Sequence, residues 1–283
     1  KAIKLCRERY VDFGPTLAAE KLAELDKIIV SRETLRQWLI AAEMPYRRRR
    51  YKPHRQWRER KACFGEMIQM DGSRHDWFEG RGPECTLMGY IDDATGVVFA
   101  RFYEYEGTVP AMDGFRRYVA EYGLPASVYL DRHRTYKGHG AATLAEELNG
   151  EGPLSQFERA LKELGVEVIH ALSPQAKGRI ERLFGTFQDR VIKEMRLENV
   201  SSIAEGNRFL EKYLVKHNRR YRRAARESQN LHREKPGYQE MLRILSVREE
   251  RTVKNDSTVW HDGRIYLLKN RTWSKKVVVE RRL

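Results

Sequence analysis

Apolar and polar positions change their period several times along the 283-residue chain, and those changes divide it. In residues 1–44 the apolar positions fall at helical spacing. The stretch 15–24 is a good helix former, and Ser31 can cap a second helix over 32–40. Leu35, Trp38 and Leu39 are expected on one face of that helix, with Arg32, Glu33, Arg36 and Gln37 on the other. From residue 64 onward the pattern shortens to the period of strands. Strands are expected over 64–70, 85–91 and 97–103, the last two joined by a hairpin turn over 92–96. Then follow a helix over 111–122, a short buried strand over 126–130, a helix over 156–164, a strand over 166–171 and a long helix from about 174 to 197. A further helix over 203–221 ends in a very basic run. Residues 252–279 return to β-branched and aromatic alternation, with turns at 255–256 and 261–263.

The order β-β-β-α-β-α-β-α describes a mixed sheet whose first three strands are consecutive and antiparallel, which is the ribonuclease H-like topology. The expected architecture is therefore α/β: a ribonuclease H-like mixed five-stranded sheet as core, an N-terminal helix-turn-helix, and a small C-terminal β-barrel. The divisions read as a helix-turn-helix over 1–45, a basic linker over 46–61, the core over 62–200, a basic helical region over 201–250 and the β module over 251–283.

Charge sharpens this division. The net charge is +14, from 54 Lys and Arg against 40 Asp and Glu. Residues 1–61 carry 17 basic against 8 acidic side chains, residues 62–196 carry 16 against 21, and residues 197–283 carry 21 against 11. A mildly acidic middle between two basic arms suits a cation-binding core held onto a polyanion, and double-stranded DNA is the expected partner. In the linker, nine of the fifteen residues from 47 to 61 are Lys or Arg, interleaved with Tyr51 and Trp57. Arg47, Arg48, Arg49 and Arg50 there, Arg32, Arg36 and Gln37 on the recognition-type helix, and Arg219 and Arg220 at the end of the 203–221 helix are the expected DNA contacts. The three cysteines are far apart and show no metal-ligand spacing, as reduced thiols in a cytosol would. No stretch approaches the roughly 18 apolar residues of a membrane span, and no leader is visible, so no membrane association and a cytoplasmic location are expected. The chain opens at Lys1, already in helical period, as a fragment of something longer would.

Three acids occupy distinctive settings. Asp71 closes the strand pattern of 64–70, Asp131 follows the strand of 126–130, and Glu181 lies inside the long helix. In the expected topology the first and fourth strands are neighbours, so Asp71 and Asp131 adjoin and the last core helix brings in Glu181. Carboxylates held so closely repel unless cations lie between them. Oxygen ligands without a cysteine or histidine cluster favour two divalent cations, Mg²⁺ or Mn²⁺, suited to in-line phosphoryl displacement. Asp92 and Asp93 are expected instead to serve a hairpin turn, and Asp76, Glu79 and Asp189 to be solvated.

On the blocks Met70-Asp71-Gly72-Ser73, Tyr129-Leu130-Asp131 and Ser173-Pro-Gln-Ala-Lys-Gly178-Arg-Ile-Glu181-Arg, with His217-Asn-Arg-Arg-Tyr221 downstream, the chain resembles the DDE transposases of the retroviral-integrase superfamily. The likeness is to the bacterial insertion-sequence kind, nearest to the ISNCY-like group. It covers residues 64–240 and extends more loosely to both ends. The resemblance implies a polynucleotidyl transferase that cuts transposon ends and joins the freed 3′-hydroxyls to target DNA, acting as a homodimer or larger multimer. It makes Asp71, Asp131 and Glu181 the catalytic, metal-holding residues. Lys177, four residues before Glu181, and Arg179 would lie against DNA. The family's second and third acids are about thirty-five residues apart, whereas Asp131 and Glu181 are fifty apart here; the stretch 136–153 accounts for the difference as an insertion. A hydrolysis-only nuclease of the same fold, or a DNA-binding regulator without catalysis, remains the alternative.

Overall fold

The computed structural model describes residues 1–44, 58–130, 155–170, 178–270 and 272–283. Three helices open the chain: α1 (Ala2–Glu8), α2 (Pro15–Asp26) and α3 (Arg32–Ala41). Pro15 takes the first helical position of α2, where a missing N–H costs nothing. Ser31 Oγ accepts a hydrogen bond from Thr34 N at 3.0 Å and caps α3. Leu17, Leu22, Leu35 and Leu39 close over Cys6, Tyr10 and Phe13 as a small core of their own. Trp38 departs from its expected place and is 45% exposed. Leu35 and Leu39, four residues apart, are sufficient to face α2, and position 38 falls on the rim of their stripe.

The centre is a five-stranded sheet built from β1 (Met67–His75), β2 (Cys85–Asp92), β3 (Val98–Tyr103), β4 (Ser127–Leu130) and β5 (Glu167–His170). Its order is β3-β2-β1-β4-β5; β1 to β3 are antiparallel, while β4 and β5 run parallel to β1. This is the mixed sheet of a ribonuclease H-like fold. Both faces are covered, so every residue of β2 is buried. One face carries α4 (Thr108–Tyr122) and α5 (Gln156–Glu163), whose Phe115 and Phe157 pack on Ile68, Met70, Met88 and Tyr90. A capping box between Ser155 and Glu158 opens α5. The other face carries α6 (Gly178–Leu197) and α7 (Ile203–Tyr221), whose Phe184, Phe187, Leu210 and Tyr213 pack on Leu87, Ile91 and Phe102.

β1 is longer than its hydrophobic pattern suggests. Pairing with β4 stops at Gln69, but pairing with β2 carries the strand on to His75, opposite Cys85. Asp71 therefore sits within the strand and not at its end. Gly72 and Ser73 look like a break in sequence, yet the neighbouring β2 supplies ladder partners that hold them extended.

After α7 the chain crosses back beneath the sheet. Glu227 N donates to Ala62 O at 3.0 Å and Leu231 N to Phe64 O at 2.8 Å, while Arg233 and Leu124 exchange two backbone hydrogen bonds of 2.8 and 2.9 Å. α8 (Tyr238–Ile244) then inserts Met241 and Ile244, with Leu245, into the first core cluster. The last strands are β6 (Val247–Thr252), β7 (Thr258–His261), β8 (Arg264–Leu267) and β9 (Lys276–Arg281). Where the sequence suggests a small barrel, the described residues form two two-stranded ribbons, β6 with β9 and β7 with β8. Asp262 and Gly263, at φ 47° and 74°, make the tight turn that such a hairpin requires. Among the described residues no helix is long and apolar enough to cross a membrane.

The N-terminal helices lie against α6 and α7 through ion pairs more than through apolar burial. Lys21 Nζ meets Glu194 at 2.5 Å, Arg196 grips Asp12 at 2.8 Å, and Glu20 takes both Arg190 and, at 2.7 Å, Arg220.

Candidate active site

Side chains alternate along β1, and that alternation aims Asp71. Ile68 and Met70 point into the cluster under α4 and α5. Gln69, Asp71 and Ser73 therefore share the opposite face, which α6 covers. The residues on either side of Asp71 show the contact directly. Gln69 Oε1 accepts from Ile180 N at 3.3 Å, and Ser73 Oγ meets Gln188 Nε2 at 3.4 Å.

Across the ladder Asp71 pairs with Gly89. A Cβ at Gly89 would stand 3.0 Å from Phe184 Cε1 and 3.3 Å from Ile180 Cδ1. The missing side chain thus lets the first two turns of α6 settle on the sheet beside Asp71. Glu181 is exposed, one residue beyond Ile180. Glu181, Gly185 and Gln188 follow at helical intervals of four and three on one stripe, and the Gln188 end of that stripe touches Ser73. Gln69 and Ser73 thus bracket Asp71 against the same helix that carries Glu181. Asp131 and Lys177 lie outside the described residues, as do Arg47, Arg48, Arg49 and Arg50. Among the described residues no three His, Cys, Asp or Glu side chains gather as a metal cluster.

One acid near this strand has no counterpart in the sequence pattern. The Glu106 carboxyl carbon would lie 2.6 Å from a Cβ on Gly72, so Glu106 reaches over the residue next to Asp71. Gly72 pairs with Met88, which belongs to the other core cluster, so Glu106 approaches from the opposite face of the sheet. Nothing local in Glu104-Tyr105-Glu106 signals that approach.

The expected DNA contacts fall in varied surroundings. Arg32 and Arg219 are exposed. Arg36 pairs with Glu33 at 2.6 Å, Gln37 leans on the same carboxylate at 3.5 Å, and Arg220 binds Glu20. Arg179 is turned inward, with its side chain 12% exposed.

No protein-family model matches the chain. It is 42% identical over 254 residues to a protein of Sinorhizobium fredii (strain NBRC 101917 / NGR234) that carries the name of a transposase, y4bF; the match takes in 89% of this chain and 54% of that protein. It is 30% identical over 214 residues to the transposase for insertion sequence IS1202 of Streptococcus pneumoniae, taking in 74% of this chain and 44% of that one. By sequence the chain is a relative of these transposases. The chain spans about half the length of the curated relatives it matches. Among solved structures it resembles the simian T-cell lymphotropic virus intasome in complex with PP2A regulatory subunit B56 gamma, at 14% identity and a TM-score of 0.47 over 98% of this chain and 88% of the other. It also resembles the HTLV-2 integrase catalytic core domain in complex with magnesium, at 14% identity and a TM-score of 0.40 over 54% and 85%. Both likenesses are remote.

The two turn aspartates do different work. Asp92 makes the turn: its carboxylate accepts from Thr95 N at 2.7 Å, Thr95 Oγ1 at 2.6 Å and Gly65 N at 2.9 Å. Burial still pushes its pKa up from the usual carboxylate value. Asp93 is equally buried, but its partners come from three distant parts of the chain: Arg58, Lys61, Gln69 and Arg179.

His217, from the basic end of α7, is only 8% exposed and packs against Phe187, Tyr213 and Tyr221 with ring centroids 5.0, 5.8 and 4.8 Å away. Burial, then the nearby Arg190 charge, pull its pKa down to about 4 from the ordinary 6.5. The folded state therefore holds a neutral imidazole. The stability this contributes is complete above pH 6.5 and is lost as pH falls toward 4, where the unfolded chain takes up a proton that the folded one refuses. Between pH 7 and pH 4 the loss through this residue is expected to be about 3 kcal/mol. Urea midpoints measured across that range should fall, and His217→Phe should flatten the slope; an unchanged slope would remove the assignment.

Proposed function

We propose that this chain carries the DNA-cutting and DNA-joining centre of an insertion-sequence transposase, with Asp71, Asp131 and Glu181 as its three carboxylates. One observation carries the reading: the parallel register of β1 and β4. Met67, Ile68 and Gln69 pair with Ser127, Val128 and Tyr129, each partner sixty residues later in the chain. Asp131, the residue after β4 in the sequence, is likewise sixty residues beyond Asp71. The helix stripe of Glu181, Gly185 and Gln188 supports the third member.

The donor set is carboxylate oxygen alone, which fits hard divalent cations such as Mg²⁺ or Mn²⁺. Asp71, Asp131 and Glu181 would hold them, and two such ions supply charge stabilisation to the attacking and leaving oxygens of an in-line displacement. The protein supplies rigidity and placement. Asp71 is fixed in a strand that is laddered to β2 and continuous with the segment laddered to β4. Glu181 is fixed by a helix packed on Gly89. In this reading water attacks a phosphodiester at a transposon end and releases a 3′-hydroxyl, and that hydroxyl then attacks a phosphodiester of target DNA, displacing the 3′-hydroxyl of the cut target strand. The basic segments on either side of the acidic core would grip the phosphates, Arg47 to Arg50 and Arg219 among them. Joining two ends calls for two or more copies of the chain.

The test uses the full-length protein, a labelled transposon end and a plasmid target in Mg²⁺ or Mn²⁺. Nicked ends and joined product are expected, and both should vanish with Asp131→Asn or Glu181→Gln. Nicking without any joined product would make the protein a hydrolase. Unchanged activity in Asp131→Asn would overturn the reading altogether.

A further inference from the structure

A buried carboxylate is costly unless its charge is paired and its lone pairs are filled. Asp93 is fully buried, and the hairpin turn gives no reason for a second such group, because Asp92 already serves the turn. What surrounds Asp93 is a convergence. From the end of the basic linker come the Arg58 guanidinium and Lys61 N, the latter at 2.8 Å. From β1 comes Gln69 Nε2 at 2.8 Å. From the first turn of α6 comes Arg179 Nη1 at 2.8 Å, while Arg179 Nη2 donates to Arg58 O at 2.8 Å. Gln69, held by Asp93 through its amide nitrogen, uses its oxygen to accept from Ile180 N at 3.3 Å.

Two successive residues of α6, Arg179 and Ile180, are thus tied to one carboxylate, one directly and one through Gln69. The next residue is Glu181. We infer that Asp93 is a positioning residue: through Arg179 and Gln69 it fixes the opening turn of α6, and with it the direction of Glu181, to β1 and to the point where the linker meets the core. The inference rests on the reading of Glu181 as a metal-holding carboxylate. It also gives Arg179 a task different from the DNA contact that its sequence position suggests. The geometry favours this task because the guanidinium is turned inward, spanning two acceptors with its side chain only 12% exposed, away from any phosphate on the surface.

The test separates the two tasks in the full-length protein. Binding of Mn²⁺ alone is measured by calorimetry, and binding of transposon-end duplex is measured without metal across a salt series. Arg179→Ala and Arg179→Lys are expected to weaken Mn²⁺ binding by about tenfold, as loss of a residue supporting a metal ligand does. Lysine should fail as alanine does, since one ammonium cannot span Asp93 and the Arg58 carbonyl. Duplex affinity and its salt slope should stay as in the parent protein. The opposite result, with Mn²⁺ binding kept and the salt slope reduced by about one, would make Arg179 a phosphate contact and end the proposal. Asp93→Asn should reproduce the Mn²⁺ loss where it folds; if it does not fold, the Arg179 variants alone decide the matter. Glu181→Gln is measured alongside: if it leaves Mn²⁺ binding untouched, the reading of Glu181 fails, and the positioning of Glu181 by Asp93 goes with it. If Glu181→Gln weakens Mn²⁺ binding and the Arg179 variants do not, only the positioning role is lost.

Discussion

Asp71→Asn is expected to lower the rate of end cleavage and of strand joining by about 10³-fold, about 4 kcal/mol of transition-state stabilisation. Asparagine keeps the shape of the side chain and one oxygen acceptor, and it loses the charge that would hold a divalent cation. The backbone at this position is laddered opposite Gly89, and asparagine can keep that ladder. Thermal unfolding should accordingly stay close to that of the parent, and transposon-end DNA should bind as well or better once a negative charge facing the phosphates is gone. Single-turnover rates on a labelled end, with melting curves on the same samples, check both halves. A loss of less than about tenfold in a folded variant would show that Asp71 is not where the chemistry is done.

The largest effect on stability should come from Phe187→Ala. Phe187 is fully buried at the centre of α6, edge-on to Tyr213 at 5.6 Å and to His217 at 5.0 Å. It joins the helix carrying Glu181 to α7 and to the sheet at one point. Removing the ring leaves a cavity that rigid neighbours on three sides cannot fill, at a cost of about 3–5 kcal/mol. For a chain of this size that corresponds to a drop of about 10 °C in unfolding midpoint. Phe187→Leu should cost about 1–2 kcal/mol. Trp273→Ala, by contrast, removes a side chain that is fully exposed and should change nothing measurable. Equal losses at positions 187 and 273 would contradict the packing described.

The parts of the fold carried by short-range pattern are legible in the sequence. The helix of 203–221 has its bounds in the apolar period and in Ser202, whose hydroxyl accepts from Glu205 N. The Ser155–Glu158 capping box marks the start of α5 just as locally. Strand order follows from chain order, and with it the neighbourhood of Asp71. What resists reading depends on partners far away in the chain. Gly72 and Ser73 are poor strand formers and predict an end to β1 near Asp71; only the ladder to β2 carries it to His75. Asp93 looks like any turn aspartate; its distinction comes from Arg58 and Arg179, 35 and 86 residues away. The spacing of Trp38 permits a place on the buried face, but spacing does not say how wide a stripe the neighbour covers. Glu106 reaches Gly72 only because β3 and α4 meet above it, a fact with no local sign.

The return of the chain beneath the sheet governs where the core can be cut. Its two margins, around residues 62–64 and 227–233, are hydrogen-bonded to each other, and Met241, Ile244 and Leu245 complete the cluster that begins at Ile68. A fragment trimmed at residue 200, after α6, would lose both the clasp and the last layer of packing over α4 and α5. With α7 lost from the other face as well, apolar surface on both sides of the sheet would be open to water. A soluble, monodisperse catalytic fragment should therefore extend at least through Leu245.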